Sequence, residues 1–219
     1  MIRVVVVDDE ELVRSGFRLI LQSAGDIEVV ATATGAQAVR EVSMHRPDVV
    51  LLDIRMPDVD GLTILRQLQG LKPPPVVAML TTFDSDEYIT TALRSGAAGF
   101  VLKDTAPEQL AHMVRTLAAG GVVLSPKAAR TVVDGYLGAG ADTAAATRVG
   151  LLTDRERAVL VLIAEGLSNT DIGARIHLSV GTVKDHVSAI LTKLRVGSRV
   201  QAALVAQRAG LLPDRDHQP

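Results

Sequence analysis

The chain is predicted to fold as two units: an α/β unit on a doubly wound, five-stranded parallel sheet, then a small all-α unit of four helices. Three observations lead there. Short, largely apolar runs built on Val and Leu recur, the pattern of parallel strands covered on both faces. Five such runs alternate with five stretches of helical apolar spacing, as crossover connections in an open parallel sheet require. Beyond about residue 150 only helical spacing remains.

The first strand is expected at residues 3–7, and Asp8, Asp9, Glu10 and Glu11 follow it directly. Residues 12–22 place Val13, Phe17, Ile20 and Leu21 on one helical stripe, and Gly25 can end that helix. A second strand at 29–34 leads through Gly35 to a helix at 36–44, closed before Pro47. The third strand, 49–52, ends in Asp53, and Met-Pro-Asp with Asp60-Gly61 then marks a turn. Leu62, Leu65 and Leu68 space a helix that stops at Gly70. Strand 76–80 ends at Thr81 and Thr82, helix 84–95 gives way at Gly96, and strand 99–102 delivers Lys103. Thr105 to Glu108 has the spacing of a capping box, with Pro107 tolerated in the first turn of a helix carrying Leu110, Met113, Val114 and Leu117.

The α/β unit is therefore expected over residues 1–120. Residues 121–149 read as a linker with a helix at 125–137, starting at Ser125-Pro126. From Gly138 to Gly150 the residues are mostly Ala, Gly and Thr without apolar periodicity, which reads as flexible; a weak helix through Ala144 to Ala146 is the alternative. Residues 150–212 form the helical unit, and 213–219 a tail. Thr153 to Glu156 is a second capping-box pattern, and helices follow at 153–166, 169–176, 179–194 and 198–209. The middle pair, with Gly173 and Ala174 in one member and Val183, Val187, Ile190 and Leu194 along the other, fits helix-turn-helix geometry.

At 219 residues and 47% hydrophobic content, each of two domains can own a core. The absence of cysteine excludes disulfides, thiolate metal sites and a cysteine nucleophile. The amino terminus MIRVVVVDDE falls far short of a signal-peptide core, and no window reaches the ~20 apolar residues of a membrane span. A cytoplasmic protein with no membrane partner is expected. The net charge of −2 is unevenly spread. Residues 1–147 hold 13 Lys and Arg against 18 Asp and Glu, whereas residues 148–212 hold 9 against 5. The helical unit is the basic one, as a nucleic-acid binder would be.

Asp53 projects from a strand's carboxyl end, where open α/β sheets place ligands. Alone it could be a structural cap, a metal ligand or a nucleophile. The predicted sheet brings Asp8, Asp9, Asp53, Thr81 and Lys103 to one edge, with no Gly-rich phosphate loop after the first strand. Three neighbouring carboxylates repel one another unless a cation neutralises them. Oxygen-only ligands favour a hard divalent ion, and Mg²⁺, which also accepts phosphate oxygens, fits best. Asp53 is then able to attack phosphorus, Lys103 to bind a phosphoryl oxygen and Thr81 to offer its hydroxyl. The five histidines show no ligand spacing.

Asp8-Asp9, LLDIRMPDVDG, Thr81 in MLTTF and Lys103 in GFVLKD resemble the receiver domain of bacterial two-component response regulators, a flavodoxin-like fold, over roughly residues 1–120. The resemblance implies that Asp53 is the phosphoacceptor and that Asp8, Asp9, Asp53 and the Arg55 backbone carbonyl hold Mg²⁺. It makes Thr81 and Phe100 the switch pair, with Phe100 turning inward on activation, and Lys103 a phosphoryl-binding group. The stretch from Leu152 to Leu194 resembles the LuxR-type helix-turn-helix of NarL/FixJ-type regulators. That likeness puts Lys184, Asp185 and Ser188 toward bases and Thr182, Lys193, Arg195 and Arg199 near phosphates. Asp185 departs from the apolar or basic residue often found there. The implied partners are a sensor histidine kinase, double-stranded promoter DNA, a second copy of the chain on activation, and RNA polymerase. Regulated binding, not catalysis, is the expected activity. The rival is a Mg²⁺-dependent phosphohydrolase with Asp53 as nucleophile, and it is disfavoured because Arg55, not a carboxylate, stands two residues on.

Overall fold

The computed structural model describes residues 1–81, 86–124, 128–129 and 143–212. These divide into two compact units, 1–132 and 133–219. In the first, strands β1 (Ile2–Val7), β2 (Ile27–Ala33), β3 (Val49–Asp53), β4 (Val76–Thr81) and β5 (Gly99–Leu102) form one sheet in the order β2-β1-β3-β4-β5. Every pairing is parallel. Val4 to Val7 and Val49 to Leu52 are fully buried, so both faces of the central strands are covered, as their unbroken apolar runs require.

Helices α1 (Glu11–Gln22), α2 (Ala38–His45), α3 (Gly61–Gln69), α4 (Asp86–Arg94) and α5 (Pro107–Ala118) make the crossovers. α1 packs with α5, while α2, α3 and α4 are successive neighbours. Strand order reverses at β1, whose neighbours β2 and β3 carry their crossovers in opposite directions. The crevice beyond the carboxyl ends of β1 and β3 is therefore where a ligand belongs.

Local differences from the sequence expectation have clear causes. A 3₁₀ turn at Gly35–Gln37 precedes α2, closed by a Thr34 and Gln37 capping box. The capping box expected at Thr105 does not form: α5 begins at Pro107 with Ala106 as its cap, because the proline already supplies the first-turn geometry. The start expected for the fourth helix at residue 84 and, apart from Ala128 and Ala129, the helix expected at 125–137 lie outside the described residues, as does the 213–219 tail.

The second unit contains α6 (Thr143–Val149), α7 (Asp154–Ala164), α8 (Asn169–Ile176), α9 (Val180–Leu194) and α10 (Arg199–Arg208). The structure differs from the flexible reading of residues 143–149. That Ala-rich stretch is a helix whose Ala145 and Val149, one turn apart, are buried in the same core as Leu160, Ile172, Val183 and Ile190. Strong helix formers need only one such apolar pair to dock. Between α8 and α9 the chain turns on His177 in the left-handed conformation, φ 57°. Gly173 permits this tight approach, since a side chain there would meet the Leu178 carbonyl at 2.6 Å. Among the described residues no helix is long and apolar enough to cross a membrane.

Candidate functional site

The parallel register delivers the acidic site. β1 and β3 run side by side with Val7 opposite Leu52, so Asp8 and Asp53 emerge together. Asp8 is fully buried and Asp53 nearly so, while Asp9 is exposed. One carboxylate oxygen from each lies within 4.8 Å of the others. From the end of β5, the Lys103 ammonium sits 2.8 Å from Asp8 Oδ2 and 3.2 Å from Asp53 Oδ2. Glu10 Oε1 is farther, at 3.7 Å. The Lys103 backbone N–H donates to the Thr81 carbonyl at 3.0 Å, which ties the ends of β4 and β5 together. Thr81 itself is buried at the end of β4.

Charge and burial oppose one another here. Burial pushes the Asp53 carboxyl above the ordinary carboxylate range, the Asp8 charge pushes the same way, and Lys103 with a backbone hydrogen bond from Arg55 pulls against both. For Lys103, burial works against the ammonium, yet its contacts with Asp8 and Asp53 prevail and raise it.

The loop behind Asp53 is held closely. Gly61 packs on Asp53 so tightly that a side chain would fall 2.1 Å from its carbonyl oxygen. Asp60 caps α3 through the Leu62 N–H, and Asp58 accepts from the Ala36 and Val59 N–H groups at 2.8 Å. Beside the acids, Ile54, Arg55, Met56, Pro57, Asp60 and Tyr88 line an open recess of about 410 Å³, where the Arg55 guanidinium lies 5.3 Å above the Tyr88 ring. Phe100, expected to turn inward on activation, is already buried in β5, 1% exposed.

In the second unit, Ser179 caps α9 by accepting from the Thr182 N–H. Lys184, Asp185 and Ser188 are exposed along one side of that helix. Thr182 and Arg195 are exposed too, Arg195 as the left-handed cap of α9. Lys193 and Arg199 depart from the expectation. Lys193 reaches both carboxylate oxygens of the buried Glu156, at 2.8 and 2.7 Å, and that contact holds the Glu156 carboxyl below its usual range. Arg199 is 8% exposed and donates to Asn169 Oδ1 at 2.9 Å and to the Leu167 carbonyl. Its guanidinium is pushed down to about 10 by burial and still carries its charge at neutral pH. It is a bolt between α8 and α10.

The response regulator receiver domain family matches residues 4–115, and the LuxR family of bacterial regulatory proteins matches residues 150–206. The transcriptional regulatory protein LnrK of Bacillus subtilis (strain 168) is 35% identical over 217 residues, covering 96% of this chain and 99% of its own. The DNA-binding transcriptional activator DevR/DosR of Mycobacterium tuberculosis is 38% identical over 207 residues, 94% of each chain. This chain belongs to the two-component response regulators. Among solved structures, the response regulator ChrA of a heme-sensing two-component system matches at 34% identity over 96% of this chain and 98% of its own, with TM-score 0.51.

The acidic pocket of this response regulator thus lies in its receiver region, and α9 lies in its LuxR-type region. Sequence reasoning passed over Arg14 in α1, whose Nη1 donates to the carbonyls of Asp8 at 2.7 Å and Asp9 at 2.9 Å. A charged residue on the sheet-ward side of an amphipathic helix, five positions after the acids, was the available signal. Tyr88 was passed over as well, since nothing in its local spacing ties it to Arg55.

Proposed function

We propose that this response regulator accepts a phosphoryl group on Asp53 from a sensor histidine kinase, and that the added charge controls promoter binding by α9. The observation that carries the reading is Lys103 bridging Asp8 and Asp53 at the sheet's switch point. It marks Asp53 as a buried carboxylate with a cation already at hand to receive new negative charge. An Asp53 oxygen attacks phosphorus, the N–P bond to the kinase histidine breaks with its electron pair returning to the imidazole, and an acyl phosphate results. Lys103 then binds a phosphoryl oxygen, and the Thr81 hydroxyl donates to another. Phe100 serves as the second member of the switch pair, and it lies inside the core.

The donor set fits a divalent ion. It is oxygen alone, and atoms within 4.8 Å close around ligand distances of ~2.1 Å with small side-chain shifts. Asp8, Asp9, Asp53 and the Arg55 backbone carbonyl would hold Mg²⁺. When bound, Mg²⁺ neutralises the carboxylates and the phosphoryl oxygens that approach them.

On DNA, Lys184, Asp185 and Ser188 face base edges, while Thr182 and Arg195 face phosphates. The protein acts in the cytoplasm, as a homodimer on activation, with RNA polymerase as a further contact at the promoter. It does not turn over small phosphate esters: the position two after Asp53 is Arg55, which cannot serve as a general acid and rests on Tyr88. Peptide mass spectrometry after acetyl phosphate and Mg²⁺ tests the reading. One added phosphoryl group at Asp53 is expected, and equal labelling of Asp53→Asn would overturn it.

A further inference from the structure

We infer that Arg14 is a positioning residue for the divalent-ion site: it sets the affinity of the acidic pocket by clamping the backbone of both β1-end acids. The inference rests on the reading of Asp8, Asp9 and Asp53 as the ion's ligands.

The turn from β1 to α1 contains only Asp8, Asp9 and Glu10. Its helix cap, Glu10, makes no side-chain capping bond. The turn must therefore be held by other means, and the two acids are not held alike. Asp8 is fixed four ways: its N–H donates to the Ala33 carbonyl at 3.1 Å, its Oδ1 accepts from the Glu10 N–H at 2.9 Å, its Oδ2 meets the Lys103 ammonium at 2.8 Å, and its carbonyl accepts from Arg14 at 2.7 Å. Asp9 is exposed, and its fixed point is its carbonyl, which accepts from Arg14 at 2.9 Å. One guanidinium nitrogen thus gathers two successive carbonyls and fixes the two peptide planes that flank Asp9. The direction in which the Asp9 carboxylate leaves the chain follows from those planes.

Arg14 is itself well anchored. It stands on the second turn of α1, where its own N–H donates to Glu10 at 3.1 Å, and its side chain is half-buried. A planar fork of fixed donors suits this task, because two carbonyls at adjacent positions are met from one direction. Lysine carries three donors on a freely rotating ammonium and a flexible stem, so it can meet the same carbonyls but fixes their planes less firmly. The guanidinium also sets a permanent positive charge behind three carboxylates that repel one another. Groups that orient ligands without touching the ion commonly control affinity by 10–100-fold.

The test uses the full-length protein and Mn²⁺ as the probe, with free Mn²⁺ counted by electron paramagnetic resonance. Arg14→Gln is expected to weaken Mn²⁺ binding about tenfold, and Arg14→Lys to fall between it and the wild type. Arg115→Gln, which removes a guanidinium paired with Asp26 away from the acids, is expected to bind as the wild type does. With acetyl phosphate, the Mg²⁺ concentration giving half-maximal labelling should rise by the same factor in Arg14→Gln, while the rate at saturating Mg²⁺ stays within about twofold. A role in fold stability alone moves the melting temperature and leaves both ion measurements unchanged. Thermal melts accompany each variant, and if Arg14→Gln does not fold, Arg14→Lys decides the matter. Mn²⁺ affinity of the folded Arg14 variants within twofold of wild type overturns the inference, as does a wild type that binds no Mn²⁺. The Mn²⁺ arm does not depend on phosphoryl transfer. A wild type that binds Mn²⁺ but is not labelled at Asp53 therefore overturns the phosphoacceptor reading and leaves the Arg14 assignment standing.

Discussion

Asp53 stands under two opposed pressures. Burial and the neighbouring Asp8 favour its neutral form, and Lys103 favours its charge. Because its carboxyl is raised in the folded protein, the native state holds that proton more tightly than the unfolded chain does. Stability is then greatest below the unfolded carboxylate value of about 3.9 and is lost as pH rises through the raised folded value. Asp53→Asn removes this dependence and one of two facing charges. In urea titrations without divalent ions, the variant's advantage over wild type is expected to grow as pH rises from the acid range to neutrality. An advantage that shrinks over that interval contradicts the assignment of burial and Asp8 as the dominant influences. Gly61 adds a steric condition at the same residue, since any side chain there displaces the Asp53 carbonyl.

At the scale of elements, the helices of the second unit are tied together by cations whose positions in sequence suggested another duty. Lys193 joins its end to the capping box of α7 through Glu156, and Arg199 bolts α10 to α8 through Asn169 and Leu167. Arg195 alone of these three is exposed. Arg199→Met is expected to destabilise the helical unit by about 2–3 kcal/mol, because buried acceptors lose a charged donor. The salt dependence of DNA affinity should stay unchanged. Arg195→Ala is expected to leave stability alone and to reduce the slope of log affinity against log salt by about one. Urea unfolding and DNA titration at several salt concentrations check both. A stable Arg199→Met with a reduced slope would return Arg199 to the phosphates.

These assignments show which features can be read along a chain. Apolar runs and their terminal acids are local, so the five strands and the convergence of Asp8, Asp53 and Lys103 were legible from spacing. Whether a basic residue faces solvent or the core depends on partners far away in sequence. Arg199 meets Asn169 thirty positions earlier, and Lys193 meets Glu156 thirty-seven earlier, so composition could not separate them from Arg195. The α6 helix was legible only as the weaker alternative, through Ala144 to Ala146, for a related reason: two small apolar residues give no periodic stripe, and their burial follows from the core that receives them.

At the scale of the whole molecule, an acidic receiver region and a basic LuxR-type region are separate compact units of one chain. In the proposed function, charge added to the first changes what the second does. Shifting a two-state balance from 1:99 to 99:1 takes ~5.5 kcal/mol, so a partial shift is the expected scale of control. The most direct measurement is a titration of a selected promoter fragment with full-length protein, before and after labelling by acetyl phosphate and Mg²⁺, alongside Asp53→Asn treated identically. Labelling of the wild type is expected to tighten binding at least about tenfold, or 1.4 kcal/mol, with no change for Asp53→Asn. Identical affinities for labelled and unlabelled wild type, with the phosphoryl group verified on Asp53 by mass, would contradict phosphorylation as the control of DNA binding.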